Sequence, residues 1–173
     1  GLRILRQEPF ETIITFILSA NNNIARIRGI IKKLCEQAGE PIAPDCFAFP
    51  APQALAGQSE EALRACGAGY RARYVLETAR KVAEGYDLER FYGMDYAAAR
   101  AELCELSGVG PKVADCILLF AYQKREAFPA DVWIRRTLGE LYGFTPKSDK
   151  EILQFASEHF GEYGGLAQQY LFH

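Results

Sequence analysis

The segment Leu106-Ser-Gly-Val-Gly-Pro-Lys112 constrains this chain most, because it breaks two helical periods where only a tight turn fits. Asp95 to Leu106 carries Tyr96, Ala99, Leu103 and Leu106 at helical spacing. Pro111 to Tyr122 carries Val113, Cys116, Ile117 and Phe120 at the same period. The spacing therefore predicts a helix, a hairpin and a second helix over residues 95–122. Gly108 and Gly110 suit positive φ and close approach to the backbone, and Pro111 takes a first helical position that needs no N–H. Unpaired amides at the positive end of the second helix would face outward together and suit one phosphate oxygen. Val109, at the tip, is expected to rest against a sugar edge. A plain interhelical connection would use the same residues, so the turn alone does not decide.

Two polar residues add chemistry to this frame. Lys112 follows the turn directly, in a first helical turn where the macrodipole opposes a cation by about 0.3–1 kcal/mol. An amine held there is a candidate nucleophile. Asp131, nineteen residues on in Phe128-Pro-Ala-Asp-Val-Trp133, precedes the helical pattern Val132, Ile134, Leu138, Leu141 and suits an N-cap. A capping carboxylate is held rigidly by the amides it accepts, so capping and catalysis are compatible roles.

The rest of the chain reads as all-α. Pro9 to Ala20 places Phe10, Ile13, Ile14, Ile17 and Leu18 on a broad apolar face, and Asn23 to Ala38 is amphipathic with Ile27, Ile30, Ile31 and Leu34 inward. Residues 39–52, rich in Pro, Ala and Gly, read as a loop. Short helices near 52–57 and 59–66 lead to a long one over about 70–84, and helices over about 131–141, 148–160 and 164–172 complete the pattern. No strand pattern or internal repeat stands out.

The chain has 173 residues, about half of them apolar, enough for one domain of two helical lobes. No apolar run reaches the roughly 18–20 residues of a membrane span. Cysteines 35, 46, 66, 104 and 116 are scattered singly, which supports neither a disulfide framework, a zinc site nor an iron–sulfur cluster, and fits a reducing intracellular compartment. The only methionine is Met94, so Gly1 is not an initiator and the chain reads as a piece of something longer. Net charge is −2, so bulk attraction to nucleic acid is not the signal. Arginines and lysines on single helix faces are ordinarily solvated.

Two further segments narrow the reading. Asn21-Asn22-Asn23 joins two apolar helices, with Arg26 one turn on; asparagine caps and turns chains, and three in succession also offer an unusual density of amide donors and acceptors. Gly69-Tyr-Arg-Ala-Arg-Tyr74 sets aromatic rings beside guanidinium groups, suited to stacking on bases and hydrogen bonding, or to ordinary helix packing. Together with the hairpin and Pro129-Ala-Asp131, these segments resemble the helix-hairpin-helix glycosylase superfamily, and within it the 8-oxoguanine DNA glycosylase branch. The resemblance runs over nearly the whole chain; the hairpin and the lysine–aspartate pair mark the superfamily, the asparagine triplet and Tyr-Arg-Ala-Arg the branch.

The resemblance implies an enzyme that acts on double-stranded DNA containing oxidised guanine, excises the base opposite cytosine and then nicks the strand, without a cofactor; a monomer would suffice for this chemistry. It makes Lys112 the nucleophile and Asp131 the catalytic carboxylate, and gives Gly108, Val109 and Gly110 to the DNA backbone. Asn21, Arg26, Tyr70 and Arg71 would read the opposite base, and Cys116, Phe120, Gln168 and Phe172 would line the lesion pocket. Trp133 stands where animal members carry a histidine near the DNA backbone, and Phe120 where they carry methionine. The chain begins near the helical core, without the amino-terminal β-rich lobe of those enzymes. A monofunctional glycosylase for alkylated bases and a non-cutting DNA-binding module remain as alternatives, although neither calls for Lys112.

Overall fold

The computed structural model describes residues 1–172. Helix α1 (Pro9–Ser19) starts at a proline, with the Glu8 carboxylate accepting from the Phe10 and Glu11 amides. It carries Ile13, Ile14, Ile17 and Leu18 into the interior. α2 (Ile24–Ala38) follows after a sharp turn. Residues 39–52, expected as loop, contain a small antiparallel hairpin of β1 (Pro41–Ala43) and β2 (Cys46–Phe47). Asp45, at φ 56°, turns it, and nearly all of it is exposed, so no alternation of apolar residues marked it in the sequence.

Helices α3 (Pro52–Ala56) and α4 (Glu60–Ala65) pack on α5 (Arg71–Ala83), which also meets α1. A 3-10 turn at Glu89–Tyr92 leads to α6 (Tyr96–Leu103), capped by Asp95, and then to α7 (Pro111–Phe120). α7 is the central element, packed against both α1 and α6 and buried from Val113 to Leu119. α8 (Val132–Tyr142), α9 (Asp149–Phe160) and α10 (Gly164–Phe172) complete the chain.

The apolar residues gather into two cores. A large one joins α1 to α7 and includes Ile13, Leu63, Phe91, Leu103 and Ile117. A small one, of Phe128, Ile134, Leu138, Ile152, Phe155 and Ala156, joins α8 and α9, with α10 packed on both helices. Between the cores the chain approaches itself closely at Gly165, whose amide donates to the Arg125 carbonyl at 2.7 Å. A Cβ there would come within 2.3 Å of Leu119 and 2.8 Å of the Ala127 carbonyl oxygen. This contact brings α10 alongside α7. No described helix is long and apolar enough to cross a membrane.

Candidate active site

The hairpin between α6 and α7 is tied to α5. Ser107 donates its hydroxyl to Glu77 at 2.5 Å, and Thr78 donates to the Ser107 carbonyl at 3.3 Å. The Ser107 hydroxyl, with Arg73 beside it, holds the Glu77 carboxyl below its ordinary range. Gly108 sits at φ 80°, and a Cβ there would meet the Tyr74 side chain at 2.8 Å. Gly110 differs from the expectation of positive φ: it is the extended N-cap of α7 at φ −93°, and a Cβ on it would meet nothing within 4 Å. Its openness faces outward, so the protein itself does not need a glycine there. Val109 also departs from expectation. It is 5% exposed and belongs to the large core, because burying its apolar side chain is worth more than leaving it at a wet tip.

Lys112 leaves the first turn of α7, and its Nζ lies 5.9 Å from the centre of the Phe16 ring. Asp131 caps α8, with one oxygen accepting from the Ile134 amide at 2.9 Å. Both line a cavity of about 230 Å3. Cys116, Phe120, Gln168 and Phe172 line it too, so six residues singled out in the sequence converge from α7, α8 and α10. Phe16, Pro129 and Gln169 complete the wall; Pro129 was read only as part of the Pro129-Ala-Asp131 segment, and Phe16 and Gln169 were not singled out. Phe16 lies on α1 among residues that read as core, and its ring stacks on Phe120 at 5.7 Å. Gln169 donates to Gln168 Oε1 at 2.6 Å, a contact between neighbours that helical period alone does not suggest. The Cys116 thiol is pushed up to about 11 by burial, with the Lys112 ammonium pulling the other way. Among the described residues no cluster of His, Cys, Asp and Glu is arranged to hold a metal ion.

The opposite-base candidates form a separate group, none of them on that cavity. The three asparagines divide their work. Asn22 Nδ2 donates to the Leu18 carbonyl at 3.0 Å, and Asn23 caps α2 by accepting from the Arg26 amide at 2.9 Å. Asn21, exposed at φ 53°, has no side-chain hydrogen bond among the described residues. Arg71 is buried, an unexpected place for a residue meant to reach a base. Its guanidinium donates to the Ala20 carbonyl at 2.7 Å and the Asn21 carbonyl at 2.8 Å, holding the turn that presents Asn21. Those carbonyls end α1 without helical partners, which is why a charged donor settles there. Tyr70 is half-exposed with the Arg71 guanidinium 4.4 Å from its ring centre, and Arg26 reaches the Gly67 carbonyl at 3.4 Å. Trp133 is 67% exposed beside Asp131.

Residues 14–162 match the family described as HhH-GPD superfamily base excision DNA repair protein. The chain is 43% identical to a probable N-glycosylase/DNA lyase of Methanothermobacter thermautotrophicus, over 99% of this chain and 62% of that one. The apo structure of Clostridium acetobutylicum 8-oxoguanine glycosylase/lyase superposes with a TM-score of 0.93 at 41% identity, covering 99% of this chain and 62% of that one. The same enzyme, solved with double-stranded DNA containing cytosine opposite 8-oxoG, gives 0.92 at 42%, covering 99% and 61%. The chain thus spans somewhat under two thirds of these proteins.

Proposed function

The chain belongs to the HhH-GPD superfamily of base excision DNA repair proteins, and on that premise we propose that it is the catalytic core of a bifunctional 8-oxoguanine DNA glycosylase/lyase. The observation that carries this reading is the convergence of Lys112 and Asp131 on one cavity walled by Cys116, Phe120, Gln168 and Phe172. The likeness to the clostridial enzyme supports the choice of lesion and of cytosine opposite it.

A base inside a duplex is out of reach of Lys112, so the nucleotide is first extruded into the cavity at an unstacking cost of a few kcal/mol. The hairpin amides about Gly110 hold the strand by a phosphate oxygen. Lys112 Nζ attacks the anomeric carbon of the sugar and the C–N bond to the base breaks, the base leaving with the bonding pair. Positive charge grows on the sugar as that bond stretches, and Asp131, fixed by its cap bond, stabilises it. The lysine nitrogen then gives up a proton and the ring oxygen leaves the anomeric carbon, taking up that proton as the sugar opens, so that a protonated imine forms. It acidifies the proton on the neighbouring sugar carbon, whose loss expels the 3′ phosphate by β-elimination. Gln168 reads the edge of the extruded base, and Phe172 with Cys116 closes on its faces. Asn21 fills the vacated space, with Arg26, Tyr70 and Arg71 about the cytosine left behind. A single chain suffices for all of these steps.

Borohydride reduction in the presence of duplex containing 8-oxoguanine opposite cytosine is expected to give a covalent adduct that Lys112→Gln abolishes. Folded protein that releases the base yet gives no adduct would establish a monofunctional enzyme. Binding with neither release nor adduct would leave only a DNA-binding module.

A further inference from the structure

Asp115 is the most buried carboxylate of the site region, at 2% exposure, and the chemistry above does not use it. It lies on α7 three residues after Lys112 and next to Cys116, so the three share one side of the helix. Its partners come from the other side of the hairpin. Tyr96 Oη donates to Oδ1 at 2.7 Å, Arg100 Nε to Oδ1 at 2.7 Å and Arg100 Nη2 to Oδ2 at 3.2 Å. Both partners belong to α6, so one bidentate ion pair and one hydroxyl tie the two helices of the hairpin together.

The tie sits where the two cores meet. A crevice of about 20 Å3 beneath it is lined by Arg100, Lys112 and Asp115 from the large core side and by Ala130, Asp149 and Leu153 from the small core side. Lys112 therefore stands between this crevice and the larger cavity. Lys112 stands on α7, which packs in the large core, and Asp131 caps α8, which packs in the small one, so their mutual geometry depends on how α7 is set at this seam. Two apolar surfaces would slide at small cost, whereas a bidentate guanidinium–carboxylate pair fixes direction.

We propose that Tyr96, Arg100 and Asp115 are positioning residues, a clamp across the hairpin that sets the first turn of α7 and so aims Lys112 toward Asp131. The inference rests on Lys112 being the nucleophile, but it concerns aim rather than chemistry. None of the three clamp residues lines the cavity.

The test replaces the whole clamp by apolar residues, as Tyr96→Phe, Arg100→Leu and Asp115→Leu together. Exchange of a buried ion pair for packed apolar groups is often neutral or stabilising, so melting temperature is expected to hold. Affinity for lesion duplex is expected to stay within about threefold, while the single-turnover rate of borohydride trapping falls about 10²-fold, the effect of an ångström of misplacement. The 13C signal of Lys112 after reductive methylation, assigned by its loss in Lys112→Gln, is expected to move while the other lysine signals stay. That second readout needs no DNA: failure of the parent to trap would count against the proposed function, and an unmoved Lys112 signal against the clamp. A folded triple variant that traps at the parent rate would overturn the inference, as would a loss of affinity equal to the loss of rate. Should the triple variant not fold, Tyr96→Phe alone decides: a few-fold slower trapping at unchanged melting temperature and affinity supports the clamp, and parent-like trapping overturns it.

Discussion

The N-termini of α7 and α8 meet at one cavity, but they are finished in opposite ways. At α8 the Asp131 side chain accepts from the Ile134 amide, and the first helical bond runs from Arg135 to the Asp131 carbonyl. At α7 the cap is Gly110, which offers no side-chain bond, and the first helical bond runs from Ala114 to the Gly110 carbonyl at 2.9 Å. The end capped by the protein holds a carboxylate still, ready to face positive charge. The end left uncapped keeps its amides and dipole for a guest, which suits an anion. One helix start satisfies a donor with its own side chain, and the other leaves its cap position without a side-chain bond.

Separating cap from charge at α8 is expected to have the largest effect. Asp131→Asn keeps an oxygen for the Ile134 amide and should melt like the parent, while base release slows about 10²–10³-fold for want of charge. Asp131→Ala should show a similar slowing and also lose about 1 kcal/mol of stability. Equal stability losses in the two variants, by urea titration, would mean that the cap bond is not what Asp131 supplies to the fold. Giving α7 a cap of its own is expected to come next. Gly110→Asp meets no steric obstacle and should change stability by only a few tenths of a kcal/mol, yet weaken duplex binding about 10–100-fold by filling the anion site with a carboxylate. Unchanged anisotropy titrations would remove the hairpin from the DNA interface.

Gly108→Ala is expected to act on the fold instead, by about 1–3 kcal/mol, because its φ of 80° is strained for any side chain and Tyr74 occupies the space. Denaturant midpoints compared with Gly110→Ala would show whether the two glycines really differ. The smallest effect concerns Cys116, which lies between the two ends. Burial keeps its thiol neutral up to about pH 11, so the exposed Cys46 should be alkylated first and Cys116 last. The unfolded thiol ionises near its ordinary pKa of about 8.5, so the folded state loses this contribution as pH rises from that range toward about 11. Mass spectrometry of iodoacetamide-treated protein across that range, with Lys112→Gln shifting reactivity further upward, checks both the sign and the neighbour.

Much of the helical order was legible because apolar period is local: a face repeating every three to four residues shows in the sequence whatever it packs against. The caps at Asn23 and Asp131 were equally local, each with its amide three residues on. Arg71 was not legible, because its burial depends on carbonyls 50 and 51 residues away that become unpaired only when α1 ends beside α5. Phe16 and Gln169 escaped for a related reason, since a period tells which side of a helix is apolar and not which part of it faces a cavity. Val109 was misplaced because turn composition suggests exposure, whereas the surrounding helices supplied a core for it to enter.

The sequence by itself determined the helical class, the hairpin between α6 and α7, and the candidate pair Lys112 and Asp131, because each rests on residues a few positions apart or on a motif read in place. Only the tertiary structure decided that Lys112 and Asp131, on helices packed in different cores, line one cavity, that Gly108 serves the fold while Gly110 stays open, and that Asp115 locks α7 to α6 at the seam. Those facts depend on which surfaces are buried together, and burial is settled by the packing of whole helices rather than by the run of residues in any one of them.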